Sequence, residues 1–293
     1  MGMILPWRDV RLDRVPSVQD FEDTATEILE IVGANSRVFK GAAFSGSVAR
    51  GDLSPRSDLD LTLVGYDGSY TLARSLARDF DALAARRGIP LDCHLWPASL
   101  ARLGRHGYGP SYLETFPRFP DAYAVGRPLA ECFRVRPGCI DKEMRAKMTH
   151  KLRSTRTRAW IFETRHADDL EMVEQWLVGS WSRVVRPMRV HVTLGRRLLW
   201  WRHASLPYDG KADVINQFLR ERTFEPFHER YSTLCDLDQD YDRLLARACA
   251  GKERRCRYLK KVKDLLLRNF RVSLGLLSEV SRFMREEPLG QAA

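Results

Sequence analysis

The 293-residue sequence lacks any apolar run that approaches the roughly 20 residues a membrane-spanning helix needs. It also lacks a C-x-x-C pair, a convincing internal repeat and a low-complexity linker. Charges occur too early in the chain for a secretory signal, and Pro6 stands where a myristoylation motif has Ser or Thr. These absences argue against a transmembrane protein and a repeat array. We expect a cytoplasmic protein with no membrane partner.

Cysteine is scarce, and none of the six residues has partners at the spacing of a zinc site. Two pairs, Cys132/Cys139 and Cys249/Cys256, share the same interval, but no matching His or Cys lies close to either pair. We therefore expect reduced thiols rather than a zinc centre.

Positive charge is in excess, with 48 Lys and Arg against 38 Asp and Glu and a net charge of +10. This balance favours polyanionic partners such as nucleotides, RNA or other phosphate-bearing ligands. The length is comfortable for two domains, and the 44% of hydrophobic residues is enough for a sizeable core.

Helix and strand patterns alternate over the first 130 residues. Ser17 and Asp20 predict the start of a helix that ends near Gly33, and Ser69 predicts the start of another that ends at Gly88. Strands are predicted over 38–44, 58–64 and 89–96. The region 104–137 is rich in Gly, Pro and aromatic residues without a clear period, so we expect irregular structure there.

The pattern after about Ile140 is helical. Pro187 and the turn at 207–210 interrupt it. Helices are predicted over 141–165, 169–186, 188–204, 211–222 and 253–283, with a further helix inside 226–250. We therefore expect an α+β fold, with a mixed-sheet domain over 1–135 and a helical bundle over 136–293.

Two carboxylates lie two residues apart on the predicted strand 58–64. Asp58 and Asp60 share one face of this strand, because alternate side chains of a strand point the same way. Their oxygens can converge on a hard cation, and Mg²⁺ takes one or two carboxylates together with substrate phosphate oxygens. Asp92 shares a face with His94 on the next predicted strand and is placed to complete the site.

Two other acidic residues are close in sequence to Asp92. Asp79 and Asp81 fall on the predicted helix between the two strands, and we expect them to be solvated. His94 is expected to line the site beside Asp92, and both a structural and a catalytic role for it are left open.

The pair Gly46-Ser47 comes shortly before the carboxylates. A glycine lets the backbone approach a triphosphate closely, and a serine adds a hydroxyl donor. Arg50 follows within one turn and can neutralise phosphate charge. Lys147 and Lys151, four residues apart on one predicted helix face, are candidates for the same contact. These five residues are the predicted nucleotide-binding set.

The combined string is more specific than its parts. Gly46-Ser47-Val48-Ala49-Arg50-Gly51 followed by Ser57-Asp58-Leu59-Asp60-Leu61, with ten residues between Ser47 and Asp58, resembles the signature of the DNA polymerase β-like nucleotidyltransferase superfamily. The resemblance covers residues 20–100 and implies a nucleotidyltransferase catalytic domain in the N-terminal part of the chain.

The resemblance also implies a reaction and its residues. Asp58 and Asp60 would ligate two Mg²⁺ ions, with Mn²⁺ as an alternative metal, and Asp92 would bind the second metal or act as general base. Gly46 and Ser47 would hold the β- and γ-phosphates of an NTP, with ATP favoured. An acceptor hydroxyl would attack the α-phosphorus in line, and pyrophosphate would leave.

Two features of the sequence favour different acceptors. The interval of 32 residues from Asp60 to Asp92 is short and is similar to that of the antibiotic-modifying branch, which implies a small molecule such as an aminoglycoside. The segments 134–158 and 252–271 each contain nine Lys or Arg against two acidic residues, and they favour RNA. A tRNA 3′ end modified by a toxin is one form of that alternative.

Three further expectations concern the helical half and its role. Acidic clusters at 163–174 and 236–242 suit a cationic antibiotic, but ordinary surface charge balance explains them equally well. A catalytically inactive nucleotide- or RNA-binding module is the remaining alternative, and the three carboxylates argue against it. The tryptophans of this half are expected in the bundle core: Trp160, Trp176, Trp181, Trp200 and Trp201.

Overall fold

The computed structural model describes residues 16–51, 53, 57–103, 123–133, 140–178, 184–203 and 210–286. The chain divides into two compact units, Arg14–Glu143 and a second that contains Met144–Ala293. The fold is α+β: the first unit holds a four-stranded mixed sheet, and the described elements of the second are helical. The predicted α+β class and the helical C-terminal half are thereby confirmed.

Local sequence signals account for the ends of the helices that flank the sheet. Helix α1 (Val18–Ala34) begins with a reciprocal cap, in which the Ser17 hydroxyl accepts from the Asp20 N–H and the Asp20 carboxylate accepts from the Ser17 N–H. A single turn, α2, covers Ser47–Arg50. Helix α3 (Tyr70–Arg86) ends just before Gly88, whose φ of 73° is a backbone conformation that favours glycine.

The sheet has the order β3-β2-β1-β4. Its strands are β1 (Phe39–Ser45), β2 (Leu59–Gly65), β3 (Leu91–Pro97) and β4 (Ala124–Gly126). Strand β2 is antiparallel to β1 and parallel to β3, and β4 is antiparallel to β1. Helix α3 connects the parallel pair, as a crossover must. The three predicted strands are confirmed to within two residues at their ends.

The two faces of the sheet differ in what covers them. On one face, Phe44, Leu61 and Leu63 pack with the apolar sides of α1 and α3 to form the main core of the unit. On the other face, Ala43 and Val64 pack with residues of two short helices, α4 (Ala98–Leu103) and α5 (Leu129–Cys132). This second cluster covers only part of its face, and the carboxylates lie beyond it on the same side of the strands.

Strand β4 corrects the expectation of irregular structure over 104–137. Within the described part of this region, Ala124–Gly126 pairs with β1 and Leu129–Cys132 is helical. A strand of three residues is too short to show an alternating pattern. These residues form a strand because they pair with β1, which the local sequence does not indicate. Residues 104–122 and 134–139 lie outside the described residues.

Seven α-helices of the described residues lie wholly or mostly in the second unit. They are α6 (Ile140–Arg165), α7 (Leu170–Val178), α8 (Val185–Met188), α9 (Val190–His203), α10 (Lys211–Arg220), α11 (His228–Cys249) and α12 (Arg255–Glu286). The predicted helices 141–165, 188–204, 211–222 and 253–283 are confirmed within three residues at each end, and the helix expected inside 226–250 is α11. The predicted helix 169–186 corresponds to α7 and part of α8, and residues 179–183 lie outside the described residues.

The apolar core of this unit joins α6, α7, α8 and α12. Fully buried side chains from all four helices meet there: Phe162, Val173, Met188, Val262, Leu266 and Phe270. Helices α11 and α12 run antiparallel, since Arg230 near the start of α11 forms an ion pair with Glu279 near the end of α12. None of the helices in the described ranges is long and apolar enough to cross a membrane. Cys93, Cys132, Cys235 and Cys256 are free thiols.

Candidate active site

Three polar side chains form a row across three strands at one end of the sheet. Asp60 on β2 lies opposite Ser45 on β1 and opposite Asp92 on β3. Directly paired residues of neighbouring strands point to the same face, and neighbouring strands lie about 4.8 Å apart. The fold therefore brings together two of the three predicted carboxylates, Asp60 and Asp92, although 32 residues separate them in sequence.

The Gly-Ser segment lies directly against this row. Gly46 follows β1 with a φ of 74°, and a β-carbon on it would overlap the carboxylate of Asp60. Both the backbone conformation and the space demand glycine at this position. The consequence is that the backbone at Gly46 and the Asp60 carboxylate are immediate neighbours, with Ser47 opening α2 just beyond.

The next row of the same face contains His94. Its Nε2 lies 3.5 Å from Oδ1 of Asp92, and both side chains are about one-third exposed. Thr62, the strand partner of His94, is buried between it and Ala43 of β1. The prediction that Asp92 and His94 share a face is confirmed, and the close imidazole restricts how the Asp92 carboxylate can turn.

A further carboxylate contributes to the electrostatics of β3. Asp81 on α3 is exposed, as predicted, yet burial and then the charge of Asp92 raise the pKa of its carboxyl. Cys93 lies within the same group, and burial, with smaller contributions from Asp81 and Asp92, raises the pKa of its thiol to about 12. Burial is the main cause of both pKa shifts, and the negative charges near the start of β3 add to it.

The carboxylates fit a magnesium ion by their chemistry and by their placement. Two hard oxygen donors on adjacent strands match the one or two carboxylates that Mg²⁺ takes when substrate phosphates supply the other ligands. Asp58 precedes β2 and is half-buried. In the part of the chain that the structure describes, no group of three or more Asp, Glu, His or Cys side chains is close enough to hold a metal ion. The structure thus joins Asp60 and Asp92 in one row of the sheet, with Asp58 two residues before Asp60 in the chain.

The remaining predicted nucleotide-binding residues lie on helices outside this row. Arg50 is the last residue of α2, and its side chain lies outside the described part of the structure. Lys147 and Lys151 lie on α6 in the second unit, half-buried and one turn apart as predicted. Their contact with a nucleotide stays a prediction.

Ser45 is a site residue that the sequence did not predict. Its hydroxyl donates to the Asp60 carbonyl at 3.5 Å, and its place in the row follows from the pairing of β1 with β2. The local signal was the end of a buried strand immediately before Gly46-Ser47, but only the register selects Ser45.

No protein-family model and no curated protein matches the chain.

Proposed function

We propose that the chain is a metal-dependent nucleotidyltransferase, which transfers a nucleoside monophosphate from an NTP to a hydroxyl acceptor with release of pyrophosphate. The observation that carries the proposal is the placement of Gly46 beside Asp60, with Asp92 in register on the adjacent strand. A nucleotidyl transfer site requires a close-approach backbone for phosphates next to carboxylates for metal ions. The specific polymerase β-like fold is part of this proposal.

The carboxylates and the Gly-Ser segment each have a defined task in this reaction. Asp60 and Asp92 would hold magnesium, with Asp58 as an additional ligand, and the metal would supply positive charge against the attacking and departing oxygens. Gly46 and Ser47 bind and orient the triphosphate. Asp92 either completes the metal site or accepts the proton of the attacking hydroxyl. In both roles His94 fixes the orientation of its carboxylate through the 3.5 Å contact.

The acceptor is proposed in two classes, each supported by one observation. A small hydroxyl-bearing molecule, such as an aminoglycoside-like antibiotic, is favoured because a single long helix, α3, spans the interval between β2 and β3. This compactness is similar to that of the antibiotic-modifying branch. RNA is favoured by an exposed, basic and aromatic face of α6 that contains Arg153, Arg156 and Trp160.

A direct test measures Mg²⁺-dependent pyrophosphate release for each NTP, with total RNA and with a panel of aminoglycosides and lincosamides as acceptors. Labelled NTP then shows which acceptor carries the nucleotide. Asp60→Asn should lower the rate by about 100-fold or more, since it weakens a predicted metal ligand. Asp79→Asn is the matched control, because Asp79 is exposed on α3 and loses the same charge. Wild-type turnover by Asp60→Asn, or no release with any acceptor, would contradict the proposal.

A further inference from the structure

One face of helix α6 combines exposed cations with an exposed aromatic ring. Arg153, Arg156 and Trp160 are spaced by three and four residues, which places them on the same side of the helix. The opposite side of α6 is buried through Met148, Ala159 and other apolar residues. The exposed side therefore takes no part in the core of the unit, and its composition needs a separate explanation.

Trp160 is the exception among the described tryptophans of the second unit, and Trp181 lies outside the described residues. Its residue surface is 56% exposed, whereas Trp176, Trp200 and Trp201 are buried. The expectation that Trp160 belongs to the bundle core is therefore wrong. The guanidinium of Arg165 lies over its ring, 5.9 Å from the centroid, within the range of a cation–π contact. Exposure of this much apolar ring surface to water is unfavourable, and a partner that stacks on the indole would bury that surface.

The two arginines of this face are also accessible to a partner. Arg153 and Arg156 are exposed, and neither forms an ion pair or hydrogen bond with any of the described residues. Arg153 lies two turns from Trp160, about 10 Å along the helix axis at 1.5 Å per residue. Glu163 is the acidic residue on this face, and the helix as a whole has eight Lys or Arg against three acidic residues.

We propose that this face of α6, defined by Arg153, Arg156, Thr157 and Trp160, binds single-stranded RNA. Unpaired bases stack on open aromatic rings, and their phosphates pair with nearby cations, which is the combination found here. Thr157 is exposed between the arginines and the tryptophan and adds a hydroxyl that can bond a ribose 2′-OH. The bases of a duplex are already stacked on one another, so they are not available to stack on the Trp160 ring. This proposal depends only on residues of α6, so RNA binding by this face can be tested independently of the proposed transferase activity.

The test measures binding of the full chain to a fluorescent RNA of about 12 unstructured nucleotides, in the range of single-strand sites, without NTP or Mg²⁺. Trp160→Ala should weaken binding roughly tenfold or more, and Trp160→Phe should keep most of the affinity because the ring remains. The joint change Arg153→Gln with Arg156→Gln should reduce the slope of log K against log salt by about 1.4, the value for two lost phosphate contacts on a single strand.

The matched control removes the same charge elsewhere. Arg282 and Arg285 are exposed near the end of α12, outside both basic segments, and Arg282→Gln with Arg285→Gln should leave the slope and affinity nearly unchanged. Equal loss in both double variants would mean that only net charge matters and would overturn the proposal. So would unchanged affinity in Trp160→Ala, equal affinity for DNA of the same sequence, or Trp160-dependent binding to anionic vesicles in place of RNA.

Binding and catalysis can be separated by the same measurements. Asp60→Asn should bind the RNA like the wild type, because Asp60 lies in the first unit and the assay contains no metal or NTP. If transfer fails with every acceptor while RNA binding depends on Trp160, the transferase proposal fails and the RNA surface stands. If nucleotidyl transfer occurs but RNA binding does not depend on Trp160, the RNA surface fails and the transferase proposal is supported.

Discussion

Gly46 and Asp60 are in such close contact that a β-carbon on the glycine would overlap the carboxylate. This contact joins two parts of the motif that ten intervening residues separate from one another in the chain. It also explains why the position is sensitive to substitution, since the φ of 74° disfavours every residue with a side chain.

Gly46→Ala should therefore damage the site in two ways. The positive φ and the overlap should cost about 1–3 kcal/mol of stability, and the displaced Asp60 carboxylate should lower kcat/KM for nucleotidyl transfer about 100-fold. Gly68→Ala is the control: nothing lies within 4 Å of its β-carbon, and its φ is not positive. Thermal unfolding together with pyrophosphate release separates the two effects. Unchanged activity in Gly46→Ala would show that the Gly46–Asp60 contact is irrelevant to the reaction.

Asp92 and Asp81 offer a second comparison, because both carry charge near the start of β3. Asp92→Asn should reduce kcat at least about 100-fold, since the side chain either binds metal or takes a proton. Asp81→Asn should change kcat little, because Asp81 lies on α3 and not in the row with Asp60. Both variants should fold, which circular dichroism can verify. A larger kcat loss in Asp81→Asn than in Asp92→Asn would reassign the third carboxylate.

The parts of the fold that local rules govern were predictable. The capping box at Ser17 and Asp20 fixed the start of α1, and the alternation of Asp60 and Thr62 with Leu61 and Leu63 gave β2 both its extent and its polar face. Long amphipathic helices such as α12 were predicted within three residues at each end for the same reason. These features depend only on neighbours in sequence.

Features that depend on partners far along the chain were not predictable. Strand β4 exists because β1 pairs with it, and Ser45 joins the site only through the register of β1 with β2. Asp238, grouped in the sequence with surface acidic residues, is fully buried and paired with Lys211 of α10. Trp160 shows the opposite error: it was predicted to be buried and is exposed. Composition alone does not tell which side of α6 faces the core.

The pair Gly195 and Tyr231 provides a test of packing in the second unit. A β-carbon on Gly195 of α9 would overlap the Tyr231 hydroxyl, which is buried and has no hydrogen-bond partner among the described residues. Gly195→Ala should cost about 1–3 kcal/mol through overpacking. Tyr231→Phe, which removes the hydroxyl, should be nearly neutral and should recover most of that loss in the double variant. Denaturant unfolding measures all four proteins, and strictly additive effects would refute the contact.

Burial of His191 should make stability depend on pH. The imidazole is fully buried on α9, with its Nδ1 3.2 Å from the Met188 carbonyl and its Nε2 3.9 Å from Asp238. Burial lowers its pKa from 6.5 to about 4, against the opposing charge of Asp238 and with help from Lys211 and Arg189.

Because the unfolded chain takes up the proton first as the pH falls, the neutral-imidazole contribution is complete above pH 6.5 and is lost progressively towards pH 4. The loss should reach about 3 kcal/mol, from 1.36 kcal/mol per pKa unit. His191→Gln should flatten the dependence of unfolding free energy on pH across this window, whatever its own stability. His150→Gln, at an exposed position on α6, should leave the wild-type slope intact. If the slope between these pH values is the same in wild type and His191→Gln, His191 is already protonated in the folded protein and its ion pair with Asp238 is a charged one.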